Sequence, residues 1–173
     1  YPLRRQRQMC IRDSGKPAWI RLKLNSLLDE EMVSAVYEAA DAGVKVEIVV
    51  RGICSLQLNT PARRENIKVR SILGRFLEHS RIYYFRNDGA EDYFIGSADM
   101  MQRNLDRRVE SLVRIESEKH KVRLQGILDD SISDSYSTWK LDDDNQWVRN
   151  IKDVDGNYLV NFQDHFIDKH NRA

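Results

Sequence analysis

Apolar positions alternate with Arg21 and Lys23 from Ala18 to Leu24 and the run stops at Asn25, which predicts a strand. Met32, Val33, Val36, Ala39 and Ala40 then recur at helical spacing. Asp29 stands before them as an N-cap, Glu30 and Glu31 occupy the first turn, and Gly43 sits where a C′ residue belongs. Val44 to Val50 is a β-branched run that leads into Arg51 and Gly52. Strand, helix and strand make a βαβ unit, which requires a parallel pair joined by a right-handed crossover. The fold class is therefore α/β.

Ile67 to Ile72 predicts a further short strand, and Leu73 to Glu78 a helical turn before His79. Ser80 to Phe85 and Asp92 to Ile95 flank Asn87-Asp88-Gly89, the turn chemistry of an antiparallel hairpin, so the sheet is mixed. Val109 to Ile115 reads as another strand. Glu118 to Trp139 reads as one helix, with Val122, Gln125, Ile127, Leu128, Ile132 and Tyr136 near one face. Beyond Lys140 the pattern weakens around Asp142-Asp143-Asp144-Asn145 and Asp155-Gly156-Asn157, and residues 141–173 are expected to be a loosely attached tail of the same domain. Residues 1–15 have neither helical nor strand period and carry four Arg. They are set aside as a disordered arm or a leader foreign to the fold.

A length of 173 residues fits one domain, and 41% apolar with 32% charged residues excludes collagenous and fully disordered classes. No apolar run approaches the ~20 residues that span a bilayer, and none follows the basic N-terminus as a secretory signal would, so a cytosolic protein is expected. Cys10 and Cys54 form no CxxC pair and no zinc-ligand spacing; both thiols are expected to be free. The net charge of +1 hides an asymmetry. Six basic side chains oppose two acidic ones from Arg63 to Arg81, whereas eight Asp oppose Lys140, Arg149 and Lys152 from Asp129 to Asp155. The middle of the chain is the part suited to an anion.

Ligands of α/β sheets collect beyond the carboxyl ends of parallel strands, where Arg51 stands. Gly52 lets the backbone approach a ligand, and a guanidinium fork suits a phosphate. An Arg at a strand end is commonly just a surface or ion-paired residue. The basic run, together with Arg103, Arg107 and Arg108, tips the balance towards an anion site. Of the four His, three lie on a charged helix or in the tail. His79 instead falls between a short helix and a strand, beside Arg75 and Arg81, and the hairpin returns Gly96-Ser97-Ala98-Asp99 to the same end. A His near Ser and Asp suggests a hydrolase triad, but no G-x-S-x-G elbow is present and the basic surround favours phosphoryl chemistry.

Several segments occur in consistent order from about residue 16 to 140. They are Lys23-Leu24-Asn25-Ser26-Leu27, Ala42-Gly43-Val44-Lys45, Arg51-Gly52-Ile53-Cys54, Glu65-Asn66-Ile67 and Val69-Arg70-Ser71-Ile72. Gly74-Arg75-Phe76-Leu77-Glu78-His79-Ser80-Arg81 and Asn104-Leu105-Asp106-Arg107-Arg108-Val109-Glu110 follow. Together they resemble the C-terminal, second catalytic domain of bacterial polyphosphate kinase. That resemblance implies a phospholipase D-like α/β fold with a mixed sheet flanked by helices, in which two similar domains each offer a His to one active site. It implies reversible transfer of the ATP terminal phosphate to inorganic polyphosphate through a phosphohistidine held in a sister domain that this chain lacks. His79 matches the second His, as proton donor or charge stabiliser, and an imidazole ordinarily titrates close enough to neutrality for either role. Arg51 and His79 are implied to contact nucleotide phosphates, with Arg75, Arg81, Arg107 and Arg108 as further phosphate-binding residues. Phosphoryl transfer asks mainly for positioning and positive charge, which suits an Arg-rich motif. The resemblance also implies Mg2+ arriving with ATP, ADP as product, the missing N-terminal and first catalytic domains as partners, a homo-oligomeric full-length enzyme and no nucleic acid. The enzyme would be cytoplasmic, at most peripheral to the inner membrane, and this fragment is expected to be inactive alone.

The chain also departs from its relatives. The wider superfamily pattern H-x-K-x4-D-x6-G-S-x-N appears as His79-x-Arg81 with Gly96-Ser97-x-Asp99, Arg86 takes the motif Asp position, and the spacing from His79 to Gly96 is too long. Cys54-Ser55-Leu56-Gln57-Leu58-Asn59-Thr60-Pro61 replaces the usual Cys-Cys-Leu and Pro- and Gly-rich loop, and Ala40-Asp41-Ala42-Gly43 the usual Ala-Ser-Ala-Gly. Two rival readings stay open: a phospholipase D-like phosphodiesterase or nuclease that dimerises to bring two copies of His79 together, and a non-catalytic polyanion-binding module.

Overall fold

In the computed structural model, which describes residues 18–87, 89–102, 104 and 108–171, the expected βαβ unit forms at the start. Strand β1 (Ala18–Leu24) pairs parallel with β2 (Lys45–Val50), with Leu24 opposite Val50, and helix α1 (Glu30–Asp41) crosses between them. Asp29 caps α1, its carboxylate accepting from Met32 N at 3.0 Å. A short helix α2 (Pro61–Asn66), absent from the sequence expectations, is capped by Thr60 and has Pro61 in its first turn. It delivers the chain to β3 (Ile67–Ser71), parallel to β2.

On the other side of β1 lies the hairpin β4 (Ile82–Asn87) and β5 (Ala90–Gly96), turning through Gly89 at φ 87°. Asp88 of the expected turn lies outside the described residues. The expected strand over 109–115 is shorter, β6 (Leu112–Ile115), and pairs antiparallel with β5.

Three expectations are corrected. No helical turn forms over 73–78: the Phe76 N–H and carbonyl bond to the Gln163 side chain instead of to helical neighbours. The helix expected over 118–139 is α3 (Glu118–Ile132), because Ser133 turns extended and the following residues become β7 (Tyr136–Leu141), which pairs antiparallel with β3. Thr138 and Trp139 suit a strand. The described part of the expected 141–173 tail, up to residue 171, is not loosely attached. It forms β8 (Trp147–Asn150), β9 (Val160–Asn161) and α4 (Phe162–Asn171), and Phe162 is 2% exposed.

The described strands make one mixed sheet, ordered β6-β5-β4-β1-β2-β3-β7-β8, with β9 beside β7. One face packs Ile20, Leu22, Leu24, Val46, Ile48 and Val50 against Val36, Ala39 and Ala40 of α1. The opposite face packs Ile82, Tyr84 and Tyr93 against Leu128 of α3, and Val49 and Ile72 against Phe162 of α4. The α/β class, the mixed sheet and its flanking helices are as the sequence predicts. Among the described residues no helix is long and apolar enough to cross a membrane. Cys54 is a free thiol pushed up in pKa by burial, and Cys10 lies outside the described residues.

Candidate active site

The three parallel strands end at Leu24, Val50 and Ser71, and β4 starts beside the end of β1, with Ile82 opposite Lys23. One edge of the sheet thus gathers Asn25, Arg51, the 73–81 segment and the residues after β5. Arg51 Nε donates to Asn25 Oδ1 at 3.3 Å. Asn25 donates through its backbone N–H and its side-chain amide to the two oxygens of Asp99, at 2.8 and 3.2 Å. Arg81 grips the same carboxylate with a fork, Nε to Oδ1 at 3.0 Å and Nη2 to Oδ2 at 2.9 Å. Its remaining nitrogen, Nη1, lies 3.2 Å from His79 Nδ1. A guanidinium only donates, so Nδ1 accepts and the neutral ring carries its proton on Nε2. One hydrogen-bonded path therefore runs from Arg51 through Asn25, Asp99 and Arg81 to His79.

Asp99 is the hub of that path and is 7% exposed. Burial opposes its ionisation, but the bonds from Arg81 and Asn25 outweigh burial and hold the carboxyl below the usual carboxylate range. The same bond from Asp99 pushes the Arg81 guanidinium up. Gly52 follows Arg51 because a side chain would not fit: its N–H donates to Asn25 O at 2.6 Å, and an added Cβ would come within 3.0 Å of that oxygen.

Of the residues expected to bind phosphate, Arg51, His79 and Arg81 come together. Among the described residues, Arg51 makes no hydrogen bond through Nη1 or Nη2 and His79 none through Nε2. Arg75 shares the loop, but it is exposed and lies over the Phe76 ring at 5.3 Å. Arg108 is exposed, and no described contact ties it to Arg51 or His79. Arg103 and Arg107 lie outside the described residues. A hydrolase triad does not form: Ser97 bonds to Glu110 and to Ser111 N, and neither Ser97 nor Asp99 bonds to His79.

Sequence reasoning missed the residues that hold the His79 loop. Lys23, buried in β1, donates to Glu78 at 3.0 Å and to Ser80 Oγ at 2.9 Å. Gln163 of α4 accepts from Phe76 N at 2.8 Å and donates to Phe76 O at 2.7 Å and to Glu78 at 3.2 Å. Strand alternation reads Lys23 as a solvent-facing position, and nothing in the sequence marks Gln163.

An open cleft of about 760 Å³ beside the start of α1 is lined by Asp29, Glu30, Glu31, Asp99 and Glu110, and its described lining residues include none of those expected to bind phosphate. An acidic lining does not suit a phosphate. Nor do the described residues fit a protein-held magnesium: they contain no group of three or more His, Cys, Asp or Glu able to hold a metal, and both oxygens of Asp99 are taken.

With this geometry in hand, comparison with known proteins is specific. The family description "Polyphosphate kinase C-terminal domain 2" matches residues 5–163, which extends past both ends of the 16–140 stretch and overlaps the segment set aside as a leader. A polyphosphate kinase from Streptomyces coelicolor is 48% identical over 159 residues, covering 92% of this chain, and the chain spans 21% of that relative's length. The crystal structure of polyphosphate kinase from Porphyromonas gingivalis superposes with a TM-score of 0.86 at 30% identity, over 99% of this chain and 27% of that one. NucT from Helicobacter pylori shares the fold alone, with a TM-score of 0.50 at 15% identity, over 75% of this chain and 90% of its own. The α/β architecture expected from the sequence, a mixed sheet flanked by helices, is borne out. On sequence and fold alike, the chain belongs to the polyphosphate kinase family, within its second C-terminal domain.

Proposed function

We propose that this chain supplies the nucleotide-phosphate grip of an enzyme that reversibly moves the terminal phosphate of ATP onto inorganic polyphosphate. The observation that carries the reading is the path Arg51–Asn25–Asp99–Arg81–His79, which fixes two donors at one sheet edge and leaves their outward groups open. Arg51 Nη1 and Nη2 would bind phosphate oxygens. His79, with its proton on Nε2, would donate to the oxygen on which charge develops. Phosphoryl transfer needs little covalent work from the protein, so two positioned donors and a supporting arginine are a sufficient contribution from this part of the enzyme. Magnesium would arrive on the nucleotide phosphates, where it neutralises charge, and no step here runs through it. The phosphorylated His, the sister domains and the oligomer belong, in this reading, to the longer enzyme.

Phosphodiester hydrolysis is not favoured. Arg replaces Lys at 81 and the motif Asp position is Arg86. The His79 Nδ1 also faces a guanidinium, whereas the general-base His of a hydrolase triad is held through Nδ1–H by a carboxylate.

Titration with MgATP tests the reading. Arg51→Ala is expected to weaken binding by roughly tenfold to a hundredfold, the worth of a charge-assisted hydrogen bond. Lys140→Ala should change it little, and equal losses at matched ionic strength would point to a general polyanion module. Given γ-labelled ATP, the chain alone should acquire no acid-labile phosphate; label on His79 would make it the nucleophile and reverse the roles.

A further inference from the structure

The loop that carries His79 is held by polar bonds and not by burial. Its apolar side chains face outwards, with Leu73 54%, Phe76 51% and Leu77 66% exposed. What ties it down is Gln163, itself 3% exposed, whose amide satisfies both main-chain groups of Phe76 and one oxygen of Glu78. The other Glu78 oxygen pairs with Lys23, which also holds Ser80. Positions 76, 78 and 80 are therefore fixed on either side of His79 by two buried polar side chains. Gly74 completes the fit, since a Cβ there would come within 2.8 Å of Gln163 Cδ and displace the amide. Next to Gln163, Phe162 packs with Ile72, where this loop leaves the sheet, and with Val49, two residues before Arg51.

We infer that Gln163 is a positioning residue: α4 sets the place of the His79 imidazole by clamping the 73–80 loop, and a shift of α4 changes the phosphate grip without touching the ligand. The inference rests on the reading of His79 as a phosphate-contacting group. A buried amide that loses its partners, or a loop main chain that loses its amide, has no apolar contacts to fall back on here.

Two variants of this chain break the clamp from opposite sides, Gln163→Leu on the helix and Gly74→Ala on the loop, with Asp164→Ala on the exposed face of α4 as control. Amide hydrogen exchange is expected to accelerate about tenfold or more over residues 75–80 in both variants, with β1 to β3 unchanged. Should Gln163→Leu fail to fold, Gly74→Ala decides. MgATP affinity is then measured in a cycle with His79→Ala. Gln163→Leu should weaken binding about tenfold in the parent and within twofold in the His79→Ala background, because coupled residues are non-additive. Loop exchange unaltered in either folded variant would overturn the inference, as would equal affinity losses in both backgrounds, the signature of a purely structural residue. A parent chain that binds no MgATP would sink the nucleotide reading, and the exchange result alone would then decide whether Gln163 holds the loop.

Discussion

On the sheet face under α1, Ile20, Leu22, Ile48 and Val50 meet Val36, Ala39 and Ala40, an aliphatic contact bordered by the rings of Tyr83, Phe85 and Phe94. On the face under α3 and α4, β1 and β3 present Arg21, Lys23 and Arg70, all at least 96% buried, alongside tyrosines and a few aliphatics. Arg21 reaches Glu47 at 2.8 Å and Asp129 at 2.6 Å; Arg70 reaches Thr138 at 3.0 Å and Asp134 at 2.6 Å. The aliphatic face gains stability from area removed from water, which is tolerant of direction. The polar face depends on partners at fixed distances, and Lys23 on that face leads to the His79 loop. One sheet thus separates bulk stability from the alignment of the site.

The contrast predicts a graded set of responses. Ile48→Asp puts an unpaired carboxylate where exposure is 0%. It should cost several kcal/mol against a total of roughly 5 to 15 and abolish the cooperative melt. A melt like that of the parent would show that the aliphatic face is not the foundation.

Arg70→Met tests the polar face more gently, because its partner Asp134 keeps a 69% exposed side chain and is not stranded when the guanidinium goes. A loss of about 1 to 2 kcal/mol is expected at neutral pH. Acid titration sharpens the test. Burial raises the Asp134 carboxyl, but hydrogen bonds from Lys140 and Arg70 outweigh it and bring the value down to about 2. A lowered folded value means that the pair contributes fully above about pH 4 and loses its contribution as the pH falls towards 2. Stability should therefore decline over that window, and less so in Arg70→Met; identical acid profiles would assign the decline to other groups.

The smallest change belongs to the aliphatic side. Asp29→Ala removes the α1 cap and should lower stability by about 1 kcal/mol, a few degrees in melting temperature, with no change in MgATP affinity. An affinity loss would show that α1 also aligns the site.

Legibility in the sequence follows the same division. The aliphatic face was readable because period 2 in the strands and helical spacing in α1 agree on which residues point inwards. Strand alternation gave Arg21, Lys23 and Arg70 no such role, since a polar position opposite an apolar one reads as solvent-facing. That reading fails once α3 and α4 cover the second face. Arg51, His79 and Arg81 were legible because strand ends and a hairpin bring distant segments together by topology. The 73–78 loop was misread because its conformation is dictated by a side chain 87 positions further on. The helix over 118–139 was overextended because Ile132 and Tyr136 keep helical spacing across a turn and into β7.

That separation of 87 positions has a consequence for how the protein is made. A chain synthesised from its N-terminus reaches β1 to β5 long before it reaches Gln163, so these strands, the Arg81–Asp99 fork and the Lys23 bonds to Glu78 and Ser80 can form while the loop still lacks its clamp at Phe76. Closing so long a loop also carries an entropic charge that only the finished sheet can offset. The His79 segment would then be the last part of the site to acquire its shape during biosynthesis, and a ribosome-bound chain stalled short of α4 would display a folded sheet whose histidine is not yet set.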